Sequence, residues 1–286
     1  MTGARVRAYL AVLGLGALLQ GCTNAVFAPS REYTVGPQAY HPQGRVLRLT
    51  SEDGVSLVAW WLPGSAPTKA TIVFAHGNAG NLSGHSANVA WLTDHGYDVL
   101  ALDYRGYGGS GGRVSVAGAI ADVRTALRAA TAQTPATRPL ILLGQSLGGT
   151  LALYAGATIE LDRSIDVVVS ISAFSDYRRI VRDVAGQSLL LAPLGWPASW
   201  LFSNRYRPLD VIGDLAPVPL VIMHGRGDEI VPFHHATALY HRAQQPKTLI
   251  EIEGSHNAAL ALAQNRRRLL DALDSGLESR VAGSTR

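Results

Sequence analysis

The 286-residue chain holds a single cysteine, Cys22, so no disulfide can form within it and cysteine pairing says nothing of its compartment. Charge is sparse too. The formal net charge is +4, and the only tight basic run, Arg266-Arg267-Arg268, falls in an amphipathic terminal pattern that a solvated helix face explains. No basic stripe interleaves with aromatics, which argues against a nucleic-acid module. A G-x-x-x-x-G-K-S/T pattern is also missing, so the glycine-rich run at 103–112 is not a phosphate loop of that kind. Nor is the chain poor in apolar residues: at 47% hydrophobic it can bury a large core, which excludes wholesale disorder and suits one large α/β domain or two small ones.

The first 22 residues form a separate unit. Arg5 and Arg7 give a positive start, and Tyr9 to Leu19 is an apolar run too short to cross a bilayer comfortably. An export signal over residues 1–21 is the expectation. It ends in Leu18-Leu19-Gln20-Gly21-Cys22, which resembles the lipobox of bacterial lipoproteins, where the cysteine is acylated and becomes the mature N-terminus. That resemblance implies lipidation at Cys22 and a cell-envelope location, the outer membrane being favoured because Thr23 stands where an inner-membrane retention signal would have Asp. An ordinary secretory signal or an uncleaved anchor remains the alternative. Removing residues 1–21 takes two basic and no acidic residues, which leaves 23 against 21.

Residues 22–44 are rich in Pro, Gly, Ser and Gln without periodicity and read as a tether. A domain over 45–278 then opens with two strand-like runs split by Glu52-Asp53-Gly54, a strong hairpin signal. Six short apolar runs follow, at 70–77, 97–106, 139–145, 164–173, 218–225 and 247–254. Helix-compatible segments lie between most of them, as at 86–95, 116–132, 146–158 and 233–244. This alternation predicts an α/β fold with an eight-stranded, mostly parallel sheet covered by helices on both faces. Residues 174–216 are too long for a simple crossover and read as a small cap or lid insertion, and 279–286 as a flexible tail. Leu189, Leu190, Leu191, Leu194, Trp196, Trp200, Leu201 and Phe202 in that insertion fit an acyl pocket, a membrane contact or the packed interior of the cap.

The run "LILLGQSLGGTLALYAGA" (140–157) passes from strand character to helix character across Gly144-Gln145-Ser146-Leu147-Gly148-Gly149. A sharp strand-to-helix turn lifts the serine clear of both elements, and the glycines relieve the crowding the turn creates. The helix start also aims free N–H groups at a developing oxyanion. A serine hydroxyl needs a base to become nucleophilic. In chain order, "HGRGDEIVP" supplies an acid at Asp228 and "GSHN" a histidine at His256, each after a strand. Glu229 competes for the acid role, but the Gly227-Asp228 turn favours Asp228. His76, His224, His234 and His235 read as turn-supporting or surface histidines. "VFAHGNAGN" puts Gly77 and Asn78 after the third strand, so the N–H groups of Asn78 and Leu147 are the expected oxyanion hole.

The set "HGNAGN", "DYRGYGGSGG", "GQSLGG", "HGRGDEIVP" and "GSHN" resembles the α/β-hydrolase superfamily. More narrowly it is similar to serine hydrolases akin to monoacylglycerol lipases, protein depalmitoylases and serine aminopeptidase-like proteins, over about residues 45–275. The resemblance implies an α/β-hydrolase fold, a Ser146-His256-Asp228 triad, an acyl-ester or thioester substrate that is a small molecule or a lipid, and neither cofactor nor metal. A peptidase or acyltransferase with the same triad, or a non-catalytic envelope lipoprotein on a hydrolase fold, are the rival readings.

Overall fold

The computed structural model describes residues 26–187 and 191–284. The expected signal and Cys22, like Leu189 and Leu190, lie outside the described residues. Eight strands form one sheet: β1 (Arg45–Thr50), β2 (Ser56–Leu62), β3 (Ala70–Ala75), β4 (Tyr97–Asp103), β5 (Leu140–Gln145), β6 (Val167–Ile171), β7 (Leu220–Gly225) and β8 (Lys247–Ile252). Their order across the sheet is β1-β2-β4-β3-β5-β6-β7-β8. The β1/β2 and β2/β4 junctions are antiparallel and the other five parallel. The Asp53-Gly54 turn closes the first hairpin, with Gly54 at φ +81°.

Strands β3 to β7 are buried along their whole length, because both faces are covered. Alternate residues feed two cores. Val73, Leu100 and Leu142 face one layer with α1 (Val116–Gln133), α2 (Leu147–Thr158) and α5 (His234–Arg242), the last of these contributing Ala236 and Leu239. Ile72, Val99 and Ile141 face the other, with Leu269 and Leu273 of α6 (Ala263–Ser284). The expected helix at 86–95 is instead one turn, Leu82–His85, followed by 3-10 segments at Ser86–Asn88 and Ala90–His95. This broken run still presents Leu82, Val89 and Leu92 to the second core. Helix α6 continues through Ser284, where a tail from 279 is the sequence expectation.

Two further expectations change. From Val26 onward the segment read as a tether is packed on the domain. Ala28–Pro29 pairs in parallel with Ala79–Gly80, and Phe27 is buried edge-on against Tyr107. Tyr33 donates its hydroxyl hydrogen to the buried Asp103 carboxylate and accepts from Gly109 N–H at 2.9 Å. Tyr33 and Tyr40 also lean on Trp60. Three aromatic anchors in a polar, proline-rich stretch are enough to turn a linker into a strap. The cap is also smaller than 174–216. It consists of α3 (Tyr177–Gly186) and α4 (Ala192–Trp200), while Phe174, Ile212 and Leu215 are already part of the main core.

The glycine-rich run after β4 is structural. Arg105 is clamped by Asp122 through Nη2 at 2.8 Å and by Asp53 through Nη1 at 2.6 Å, and Ser110 Oγ donates to Asp103 O at 2.7 Å. Because Tyr33 caps a buried carboxylate, Tyr33→Phe leaves Asp103 short of a donor and should cost about 1–3 kcal/mol. Urea unfolding of wild type and variant checks it; equal midpoints and slopes would mean the strap contributes no stability.

Candidate active site

The turn between β5 and α2 places Ser146 at φ 55°, ψ −123°, a region an L-residue occupies only under constraint. The constraint is visible at two glycines. A Cβ on Gly148 would stand 2.0 Å from Ala75 O, and one on Gly144 would stand 2.3 Å from Gly148 O. The first turn of α2 is therefore pressed directly onto the end of β3, and only glycine permits it. Ser146 N–H donates to Ile171 O at 2.8 Å, which ties the turn to β6 as well.

The structure brings the three expected residues together. His256 Nε2 lies 2.8 Å from Ser146 Oγ, and His256 Nδ1 lies 2.8 and 3.0 Å from the two carboxylate oxygens of Asp228. Asp228 is fixed by its own loop: its Oδ1 accepts from Ile230 N–H at 3.0 Å and Val231 N–H at 2.8 Å. Burial works to raise the Asp228 carboxyl, but the hydrogen bond and charge of His256, with the Val231 amide, outweigh it and hold the group below the ordinary Asp range. Glu229, the competing acid, accepts from the backbone N–H of His256 at 3.1 Å and so positions the histidine's main chain. His224 donates from Nε2 to Val231 O at 2.7 Å and braces the same loop.

Opposite the histidine, the backbone of Gly77 runs beside the serine: a Cβ there would stand 3.7 Å from Ser146 Cβ. Asn78 keeps its side chain away from the serine, its Oδ1 accepting from Ala28 N–H at 2.7 Å and Tyr107 Oη at 3.2 Å. Buried His76 donates from Nδ1 to Gly77 O at 2.6 Å and stacks on His85, and Tyr104 Oη donates to His76 O at 2.7 Å. Asn78 and Leu147 both line one cleft with Ser146 and His256. Its volume is about 1030 Å³, and Phe174, Ile180, Val181, Val184, Phe202 and Ile230 give it an apolar wall. Val26, Ser30, Glu32 and Thr34 of the strap form part of the rim, which the sequence reading missed. Phe27, Tyr33 and Tyr40 were the signal available.

The family model for serine aminopeptidase S33 hydrolases matches residues 66–212. The chain belongs to the serine aminopeptidase S33 family. Among its relatives, YfhR of Escherichia coli O157:H7 is 33% identical over 229 residues, which is 77% of this chain and 75% of that protein. The alpha/beta hydrolase domain-containing protein WAV2 of Arabidopsis thaliana is 27% identical over 253 residues, 82% of this chain and 79% of that one. The Pyrococcus furiosus esterase Pf2001 superposes with a TM-score of 0.70 at 21% identity, covering 88% of this chain and 98% of its own, a likeness of fold.

Two further histidines of this S33-family hydrolase tie the cap to the domain. His234 and His235 both donate from Nε2 to Asp183 Oδ2 at 2.9 Å, pinning cap helix α3 to α5. Asp183, His234 and His235 bring three ligand-type atoms within 4.8 Å, yet Ser175 N–H donates to His235 Nδ1 at 3.1 Å. That bond sets the tautomer with the proton on Nε2, so the nitrogen facing Asp183 is a donor and not a metal ligand. Burial pushes His235 well below the ordinary histidine range, helped by the neighbouring His234, and pushes His85 down to about 4, helped by His76. His224 is lowered for the same first reason. The fold keeps these rings neutral while the unfolded chain protonates near pH 6.5, so stability is full above that value and falls as pH drops through it. The melting temperature should fall by at least about 5 °C between pH 7.5 and 5. The His235→Asn variant should fall less; a flat wild-type profile would contradict the assignment. Gly148→Ala should be far more damaging, with loss of soluble folded protein or a melting temperature many degrees lower.

Proposed function

We propose that the chain is a serine hydrolase that cleaves carboxylic ester or thioester bonds through an acyl-enzyme. The observation that carries this reading is the 2.8 Å contact from Ser146 Oγ to His256 Nε2, with Asp228 on the other ring nitrogen. With its Nδ1–H donating a hydrogen bond to the Asp228 carboxylate, His256 presents the Nε2 lone pair to the serine. The hydroxyl proton passes to Nε2 as Oγ bonds to the substrate carbonyl carbon, and the Asn78 and Leu147 N–H groups receive the oxyanion. His256 then gives that proton to the departing alcohol or thiol, and the carbon–heteroatom bond breaks. Water repeats the sequence on the acyl-enzyme and frees the acid. Each oxyanion donor is typically worth about 2.7–4 kcal/mol of transition-state stabilisation.

The apolar cleft wall supports an acyl chain as the group that is held, either in a small ester or in a lipid. The lipobox-like residues 18–22 support acylation at Cys22 and a place in a bacterial envelope, with the outer membrane favoured by Thr23. p-Nitrophenyl esters of increasing chain length should be turned over by the wild type. The Ser146→Ala variant should lose the activity, and Asp228→Asn should lower kcat by roughly 10⁴. Turnover of aminoacyl amides in place of esters would make the chain a peptidase, and transfer to an added alcohol an acyltransferase. Equal behaviour of wild type and Ser146→Ala would leave only a binding protein on a hydrolase fold.

A further inference from the structure

Helix α4 has an unusual composition for its position. From Val184 to Asn204 the chain has no charged residue. In the folded cap only Gly195 and Ser199 of α4 are buried, where the helix touches α3; a Cβ on Gly195 would lie 3.0 Å from Ala185 Cβ. The rest of the helix faces outward. Trp196 is 64% exposed and Trp200 62%, with Leu191, Leu194 and Leu201 also exposed. Burial inside the cap, one of the sequence-level expectations, does not apply to them. A helix apolar nearly all round, with so narrow a buried stripe, has no partner among the described residues that covers its outward face.

Three observations indicate what covers it. First, the surface is continuous with the cleft: Val184, Leu191 and Ile230 are exposed and also line the pocket that contains Ser146. Second, Arg178 lies 5.3 Å from the Trp200 ring centroid and Arg182 lies 4.6 Å from that of Trp196, so guanidinium groups border the tryptophans. Indole rings and arginine stems beside an uncharged face suit the headgroup level of a membrane with anionic lipids. Third, Val26 lines the same cleft, and Cys22 stands four residues before it, a reach of about 14 Å at full extension.

We propose that the outward face of the cap, Leu194, Trp196, Trp200 and Leu201 bordered by Arg178 and Arg182, docks on an anionic phospholipid bilayer with the cleft mouth turned toward it. An N-terminus held at the same surface brings that mouth within reach of the membrane. A lipid-borne acyl group then passes along Leu191 and Val184 to Ser146 without crossing bulk water. Delivery of such a substrate rests on the proposed hydrolase reading, whereas the docking stands on the surface itself.

The described residues enclose both halves of the core, so a chain beginning at residue 23 keeps the packed domain and carries no apolar leader. Mixed with phosphatidylglycerol–phosphatidylcholine vesicles, it should co-sediment, and brominated lipids should quench its tryptophan emission. The Leu194→Ser/Trp196→Ser/Trp200→Ser variant should lose about tenfold or more in partitioning, a loss on the scale of the buried apolar area. Arg182→Glu should weaken binding to the anionic vesicles and leave binding to pure phosphatidylcholine little changed. Turnover of soluble p-nitrophenyl acetate should be the same in all of these proteins, which shows that each is folded. If none of them hydrolyses acetate, the hydrolase reading fails while the vesicle result still decides docking. Equal partitioning of wild type and triple variant, or no partitioning by either, overturns the proposal. So does a lipid-free wild type that is dimeric by ultracentrifugation beside a monomeric variant, because the face then serves a second copy of the chain.

Discussion

The contact between the first turn of α2 and the end of β3 governs the rest of the site. A Cβ on Gly148 would fall 2.0 Å from Ala75 O, so the main chains touch with no side chain between them. That proximity exists because β3 and β5 are neighbours in the sheet although Ala75 and Leu140 lie far apart in sequence. It forces Ser146 into its positive φ, and it brings the Gly77-Asn78 backbone beside the serine. Ser146 and the Gly77-Asn78 backbone are thus positioned by one packing event between rigid strands, which is how a site holds its geometry without induced rearrangement.

Asp228 and His256 come from the loops after β7 and β8, and backbone groups hold them as well as their contact with each other. Two amides hold Asp228, His224 braces the Val231 carbonyl, and Glu229 receives the His256 amide. Glu229, the neighbouring carboxylate, is the one that receives the His256 backbone. The hydrogen bond and charge of His256, with the Val231 amide, outweigh burial and hold the Asp228 carboxyl below the ordinary range.

The strands were legible because sheets covered on both faces demand unbroken apolar runs, and β3 to β7 have them. Ser146 and Asp228 were legible because each follows such a run at the sheet edge where sites assemble, and His256 because it follows the last strand, β8, whose Lys247–Ile252 alternates instead of running unbroken. What composition hid was the strap. Pro, Gly, Ser and Gln dominate residues 26–44, and the argument from composition weighs them equally with Phe27, Tyr33 and Tyr40, although those three rings carry the packing. The region 86–95 failed as a regular helix for a local reason: Asn81 caps a turn that starts earlier, at Leu82, and Gly96 ends the run in the left-handed region at φ +85°. Apolar periodicity survived there while the hydrogen-bond pattern did not.

The strap and the cap enclose the same cleft from opposite sides, and the two are held differently. The strap is fastened by backbone pairing at Ala28–Pro29, by the Arg31 contact to Gly112 O at 3.2 Å, and by Tyr33 on a fully buried carboxylate. The cap is tied by Asp183 under two histidines, by Gln187 Nε2 donating to Glu229 O at 2.6 Å, and by Tyr177 and Ile180 buried in the main core.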